Sequence, residues 1–253
     1  MGCFGAGRAG NPATAGARAL AGLPRVARAA AILLISGSLA AVAHAADPAK
    51  VLRIAFPAAE TGFDPVRVSD AYSNTINEAI FERLLGYDFL ARPAKLVPEV
   101  AESMPEISDN GRTYTFRIRK GVYFTPDPAF GGKPRELTAD DFVYTFKRFV
   151  DPKNRSPWAF MLEGRIEGLD ELIEAAKRHG RFDYEARVSG LQALDRYTIR
   201  FRLKQPNHVF LYTLAHSPFG AMAREVVEKY GDDLAAHPVG TGPYVLKEWK
   251  RAS

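Results

Sequence analysis

The residue types that could perform chemistry are few, and their spacing fits no common catalytic pattern. Four histidines follow residue 45: His179, His208, His216 and His237. No two of them lie three or four residues apart, the spacing that puts two metal ligands on one helix face. The chain also lacks H-E-x-x-H, G-x-S-x-G, S-x-x-K and Walker motifs. The sequence therefore predicts a protein that is not an enzyme and needs no cofactor, while a metal site assembled from distant residues stays open.

Adjacent acids and a glycine motif are the remaining chemical signals. Asp140-Asp141 and Asp232-Asp233 point apart on a helix, so they make poor acid–base pairs. The segment from Gly5 to Gly10 matches G-x-G-x-x-G, but no strand precedes it, so we interpret it as a false match.

The net charge excludes a nucleic-acid partner. The chain has 34 Lys+Arg against 29 Asp+Glu, a formal charge of +5. Four of the arginines and none of the acids lie in residues 1–45, so 34 − 4 = 30 cations face 29 acids in the remainder, and the charge falls to +1. A composition with 47% hydrophobic and 25% charged residues is that of an ordinary globular protein.

The first 45 residues are predicted to be a secretory signal peptide. An arginine-rich, acid-free start precedes an apolar run from Ala29 to Ala43, and Ala43-His44-Ala45 matches a small-x-small cleavage site. A membrane anchor is the alternative, but the run of about 15 residues is shorter than the ~20 needed to span a bilayer. Cleavage would remove Cys3, the only cysteine, and so exclude disulfides and thiolate chemistry.

Hydrophobic patterns predict a mixed α and β class. Strands are expected at 51–56, 113–119, 196–203 and 244–249, and helices at 69–85, 138–150, 169–179, 208–215 and 223–230. Ser69 or Ser73 is expected to cap the first helix and Gly86 to end it. Asp109-Asn110-Gly111 predicts a tight turn before the second strand.

Three segments resemble one family: 96–120 (LVPEVAESMPEISDNGRTYTFRIRK), 137–150 (LTADDFVYTFKRFV) and 238–249 (PVGTGPYVLKEW). In this order and spacing they are similar to the family 5 extracellular solute-binding proteins, which include periplasmic oligopeptide and dipeptide receptors of ABC importers. The resemblance implies an incomplete periplasmic-binding-protein-like (class II) fold in a monomer that works with a membrane permease and an ATPase.

The resemblance also implies a domain division. Residues 1–45 are the signal peptide, 46–83 and 238–253 are pieces of a first lobe, and 84–237 form an additional domain inserted between them. Family members are about twice as long, so we expect the second lobe to be absent and the chain to be a fragment.

Ligand contacts are likewise implied by the resemblance. An extended peptide would add as a strand along Ser69, Asp70, Ala71 and Tyr72, and Trp158 stands where close relatives carry Tyr. Each has a structural alternative: Ser69 as a helix cap, Tyr72 as part of a buried stripe, Trp158 as a packed surface aromatic. A hinge or cleft segment is expected at Gly240, Thr241, Gly242, Pro243 and Tyr244, with a plain tight turn as the alternative.

Three functions remain in competition at this stage. A peptide receptor of an ABC importer leads. The same receptor fold could instead bind a metal chelate, haem or a sugar. A secreted hydrolase is the distant alternative, which would require a nucleophile and a base partner that the motifs do not supply.

Overall fold

The computed structural model describes residues 50–250. The predicted signal peptide, its predicted cleavage site and Cys3 therefore lie outside the described residues. The elements in chain order are α1 (Ala71–Ile80), β1 (Leu85–Tyr87), β2 (Leu96–Pro98), β3 (Glu106–Ser108), β4 (Thr113–Arg117), α2 (Ala139–Val150), α3 (Leu169–His179), β5 (Leu191–Asp195), β6 (Thr198–Arg202), α4 (Phe210–Leu214) and α5 (Arg224–Tyr230).

A four-stranded antiparallel sheet, ordered β3-β4-β6-β5, forms the centre of the structure. The turn between β3 and β4 is the predicted Asp109–Gly111 segment, in which Asn110 has φ 53° and ψ 40°, a left-handed conformation that Asn tolerates. Tyr114, Phe116 and Ile118 are buried, as the alternating pattern predicts. The two-stranded sheet of β1 and β2 is separate from it.

The two longer helices begin and end where the sequence predicts. Thr138 and Asp141 form a capping box at the start of α2. Helix α3 is closed by Gly180, which has φ 68° at the left-handed exit. Local signals suffice here because cap residues and apolar spacing agree.

An aromatic core joins the sheet to the helices. Phe142, Phe146 and Phe149 of α2 are each at most 1% exposed, which confirms the predicted packing of this face. The Phe146 ring lies 5.1 Å from Phe201 of β6 in an edge-to-face arrangement and 5.5 Å from the stacked ring of Phe219. Such pairs stabilise by about 0.5–1.5 kcal/mol each beyond the area they bury.

A buried ion pair ties the segment before α1 to α2. The Arg148 guanidinium donates to both carboxylate oxygens of Asp64, at 3.1 and 3.0 Å, and the two residues are 3% and 2% exposed. The Val66 N–H donates to the same carboxylate at 3.2 Å. This pair fixes the start of the candidate site described below, because Asp64 lies only a few residues before it in the chain.

Helix α1 is shorter than predicted, and its cap is a different residue. Asp70, not Ser69 or Ser73, caps it: its Oδ1 accepts from the Ser73 N–H at 2.8 Å. The helix ends at Ile80, and Gly86 lies in β1 instead of ending it. The reason is backbone pairing: Glu99 and Val100 donate to the carbonyls of Leu84 and Arg83 and hold that segment extended.

Two predicted strands, at 51–56 and 244–249, are wrong: in the described residues neither forms a ladder. Val51, Leu52 and Tyr244 are 74%, 78% and 67% exposed. A short apolar run becomes a strand only where another strand supplies hydrogen bonds, and no described segment does so here.

Candidate functional site

The predicted ligand-contact residues begin just before α1 and extend into its first turn. Ser69 is exposed and lies in the non-helical segment, while Asp70 is in an extended conformation, with φ −71° and ψ 150°. Ala71 and Tyr72 are already helical. Pairing with an added strand needs extended backbone, so the helix limits such pairing to the segment that ends at Asp70.

The structure brings Trp158 to this segment. Its indole Nε1–H donates to the Val68 carbonyl at 2.8 Å, next to Ser69 and across 90 residues of sequence. The ring is partly buried and packs against the core. Both the hydrogen bond and the packing thus orient the Trp158 side chain beside the predicted ligand segment. Its role toward a ligand stays a prediction.

His216 contacts Trp158, a contact that the sequence did not predict. The two rings meet edge-to-face with centroids 4.8 Å apart. No local signal identifies it, because its partner is distant in sequence and no motif contains it.

Asp70 organises the polar groups around the helix start. Its Oδ2 accepts from the Thr61 hydroxyl at 2.6 Å, and the Ser73 hydroxyl accepts from the Thr61 N–H at 3.0 Å. Burial acts to raise the pKa of the Asp70 carboxyl, but the hydrogen bonds from Ser73 and Thr61 together outweigh it, so the pKa is lowered. The carboxylate therefore stays charged at the positive end of the helix dipole.

The segment Gly240–Tyr244 lies at the opposite end of α1. The Gly242 N–H donates to the Ile80 carbonyl at 2.8 Å, and the Tyr244 N–H donates to the Ala79 carbonyl at 3.3 Å. A ten-residue helix is about 15 Å long, so α1 separates this segment from Ser69, which lies before the start of the helix. It satisfies carbonyls at the end of α1 that the helix itself leaves free.

The approach of this segment to α1 requires glycine. A Cβ at Gly240 would lie 2.0 Å from the Ile80 carbonyl oxygen, and one at Gly242 would lie 2.6 Å from the Ala79 oxygen. Neither neighbour is a flexible side chain. The two glycines thus allow this segment to approach the backbone of α1, because they carry no side chain.

Charges at the end of α1 are arranged around one buried arginine. Arg83 is 6% exposed and donates from Nε to Glu99 at 2.8 Å and from Nη1 to Glu78 at 2.6 Å. Burial raises the pKa of the neighbouring Glu82 carboxyl. In the described residues no group of three or more His, Cys, Asp or Glu side chains is placed to hold a metal ion.

Burial lowers the pKa of His216, and the nearby Arg83 acts in the same direction while Glu78 opposes it. The folded state therefore disfavours protonation of this ring, and the unfolded chain takes up the proton first. We expect stability to fall as the pH drops from the unfolded pKa of about 6.5 toward the lower folded value. In urea unfolding at pH 7 and pH 5, His216→Gln should show a smaller acid loss than the parent. An equal loss would assign the acid sensitivity to other groups.

A cavity of about 770 Å³ lies elsewhere, against Tyr144, Phe182 and Tyr184. None of the predicted ligand-contact residues lines it.

Within residues 50–250, no helix combines the length and the apolar character that spanning a bilayer would require.

Comparison with known proteins identifies the family. Residues 95–253 match the model described as "Bacterial extracellular solute-binding proteins, family 5 Middle". Di/tripeptide-binding protein 2 of Pseudomonas aeruginosa is 31% identical over 87% of this chain and 39% of its own length. The periplasmic oligopeptide-binding protein OppA of Escherichia coli is 32% identical over 74% of this chain and 31% of its own length.

Solved structures agree with the sequence relatives. DppA of Helicobacter pylori, in complex with the peptide STSA, matches with a TM-score of 0.59 and 28% identity over 75% of this chain and 35% of its own. Haemophilus influenzae OppA, in complex with RPPGFSPFR, matches with a TM-score of 0.61 and 28% identity over 75% and 34%. The predicted fold class, a mixed α/β portion of a periplasmic-binding-protein fold, is confirmed. This chain belongs to family 5 of the bacterial extracellular solute-binding proteins.

Proposed function

We propose that the protein serves as the peptide-binding component of an ABC importer, taking up di- or oligopeptides in the periplasm. The observation that carries this proposal is the hydrogen bond from Trp158 to the Val68 carbonyl, which sets a flat aromatic wall beside the exposed, non-helical Ser69. Relatives named as di/tripeptide-binding and oligopeptide-binding proteins support it. Because the chain spans about two fifths or less of those relatives, the ligand and partners belong to the proposal.

Binding in this proposal needs no catalysis. Backbone groups of Ser69 and Asp70 would pair with an extended peptide, which gives affinity without reading the peptide's sequence. The ring of Trp158 would cover one apolar side chain of the peptide and exclude water from it. No bond forms or breaks, so the protein acts as a receptor and not as an enzyme.

The proposed setting follows from the family. Signal-peptide cleavage would place the protein in the periplasm, where a monomer would deliver peptide to permease and ATPase subunits in the membrane. Residues 46–83 and 238–253 would belong to the first lobe and 84–237 to the additional domain. Gly240–Tyr244 would lie near the hinge, where its bonds to α1 couple the two first-lobe pieces.

Indole resonances test the ligand class. In ¹⁵N spectra of the chain from Ala46, di- to pentapeptides should shift the Trp158 indole signal in a saturable way, while the Trp249 signal serves as an internal reference. Trp249→Phe identifies which signal is which. If sugars, haem or metal chelates shift this signal and peptides do not, the ligand class is one of those solutes and not peptides. A Trp158 signal that none of these solutes moves would contradict the site.

Removal of the aromatic wall should weaken peptide binding. Trp158→Ala is expected to lower affinity for a fluorescein-labelled tripeptide by about 1–2 kcal/mol, or roughly 5- to 30-fold, because one apolar wall is lost. Fluorescence anisotropy measures the change. Tyr123→Ala is the matched control, since this aromatic is half exposed in a different loop and should leave affinity unchanged. If both variants lower the affinity equally, Trp158 does not contact the peptide and its role is packing.

A further inference from the structure

The loop between β1 and β2 displays two adjacent large apolar side chains. We call residues Asp88–Lys95 the hairpin tip. Phe89 is 87% exposed and Leu90 is 83% exposed, the highest values among the large apolar side chains of the described residues. Exposure of two such neighbours to water is unfavourable relative to burial. Two adjacent side chains of this kind make the loop a candidate contact surface.

The hairpin tip has a defined backbone conformation. The Asp88 N–H donates to the Lys95 carbonyl at 2.8 Å, and the Asp88 Oδ1 accepts from the Leu90 N–H at 3.0 Å. The Ala91 N–H also donates to the Asp88 carbonyl at 3.3 Å. These bonds fix the turn while Phe89 and Leu90 face solvent, so their exposure is a property of the fold.

Aromatic side chains lie immediately behind the tip. Tyr87, the last residue of β1, is 47% exposed, and Tyr212 of α4 is 48% exposed. Their ring centroids are 6.4 Å apart, so the hairpin and α4 form one continuous surface. Tyrosine combines an apolar ring with a polar hydroxyl, and it is enriched where proteins meet the boundary between lipid and water.

The charges of the hairpin tip are positive in balance. The Arg92 guanidinium donates only to the carbonyls of Phe89 and Ala91. Neither Arg92 nor Lys95 has an acidic partner within the described residues. The one acid of the tip, Asp88, is occupied in the turn. Two cations thus follow the apolar pair within five residues and can reach anionic groups on an approaching surface.

We propose that the hairpin tip docks on the surface of a bilayer that contains anionic phospholipid. Phe89 and Leu90 insert among the acyl chains near the headgroups, the tyrosines lie at the interface, and Arg92 and Lys95 contact lipid phosphates. Lipid fits better than a protein partner, because exposed apolar side chains beside tyrosines and cations match the successive layers of a bilayer surface. Such docking would hold the protein loosely at the membrane whatever ligand it carries.

Co-sedimentation with vesicles tests the proposal. The chain from Ala46 retains every described residue and lacks the apolar leader. It should sediment with vesicles of phosphatidylglycerol mixed with phosphatidylcholine, more weakly with phosphatidylcholine alone, and less as salt rises. Phe89→Ser/Leu90→Ser should lower binding about tenfold or more. Arg92→Gln/Lys95→Gln should lower it about fivefold or more, and only on the anionic vesicles.

A matched control distinguishes binding through the hairpin tip from non-specific binding of exposed apolar side chains to vesicles. Ile107→Ser/Leu194→Ser removes two half-exposed aliphatic side chains, 49% and 47% exposed, from β3 and β5. This variant should bind vesicles like the parent, and circular dichroism should show that all variants are folded. Absence of parent binding to anionic vesicles, an equal loss in the control, or binding only to vesicles that carry permease subunits would each overturn the proposal.

Discussion

Replacing Arg148 by methionine is expected to lower the free energy of unfolding by about 3–5 kcal/mol. The change would leave the Asp64 carboxylate 2% exposed without the guanidinium that donates two hydrogen bonds to it. An unpaired buried charge is costly because the interior cannot solvate it as water does. Urea unfolding followed by circular dichroism measures the loss. Since α2 and the segment before α1 are joined at this pair, we also expect Trp158 fluorescence to change.

Arg67→Met is the matched control for that experiment. Arg67 approaches the same Asp64 carboxylate, at 3.8 Å, but its side chain is 39% exposed. Exposed pairs contribute about 0–1 kcal/mol, so this variant should be close to the parent in stability. A loss equal to that of Arg148→Met, or no loss in Arg148→Met itself, would refute the assignment of stability to the buried pair.

Gly240→Ala is expected to destabilise the protein by about 3 kcal/mol, the upper end of the usual cost of overpacking. The new Cβ would lie 2.0 Å from the Ile80 carbonyl oxygen, which is backbone and already accepts from Gly242. Only a shift of the whole segment can relieve this overlap, and overpacking of this kind typically costs 1–3 kcal/mol or more. Thermal unfolding measures the loss, and amide exchange should show lower protection at Gly242 and Tyr244.

Gly86→Ala provides the comparison for this variant. A Cβ at Gly86 would lie 3.3 Å from the Glu99 carboxylate, which Arg83 holds, so a shift of only a few tenths of an ångström relieves the contact. We expect a change within about 1 kcal/mol of the parent. Should Gly240→Ala be equally mild, the close approach to α1 would not constrain this position.

The sequence predicts elements well where several local signals agree. Helix α3 has periodic apolar residues, acids in its first turn, bases in its last and Gly180 as its exit, and its bounds match the prediction. Strands β1 and β2 have three residues each, too few to show any periodicity. The run at 51–56 is the reverse case: it is apolar enough for a buried strand, yet pairing decides strand formation and composition does not carry that information.

The candidate site is less predictable than the fold because its contacts cross long distances in sequence. The hydrogen bond from Trp158 to Val68 spans 90 residues, and the ion pair of Arg148 with Asp64 spans 84. Family resemblance predicted Ser69 and Trp158 each as ligand contacts, but no single-sequence pattern contains His216. The choice of Asp70 over Ser69 as helix cap also depended on Thr61, whose hydroxyl fixes that carboxylate.

The order of strands in the central sheet imposes a delay during synthesis. Strand β4 lies between β3 and β6, and β6 begins about 80 residues after β4 ends. At about 5–20 residues per second, a ribosome needs roughly 4–16 s to deliver that partner. Until then one edge of β4 has no ladder, and the aromatic core that β6 completes cannot close. The nascent chain thus cannot complete this sheet until Arg202 has been synthesised, and until then the segment can still be threaded through a narrow translocation pore.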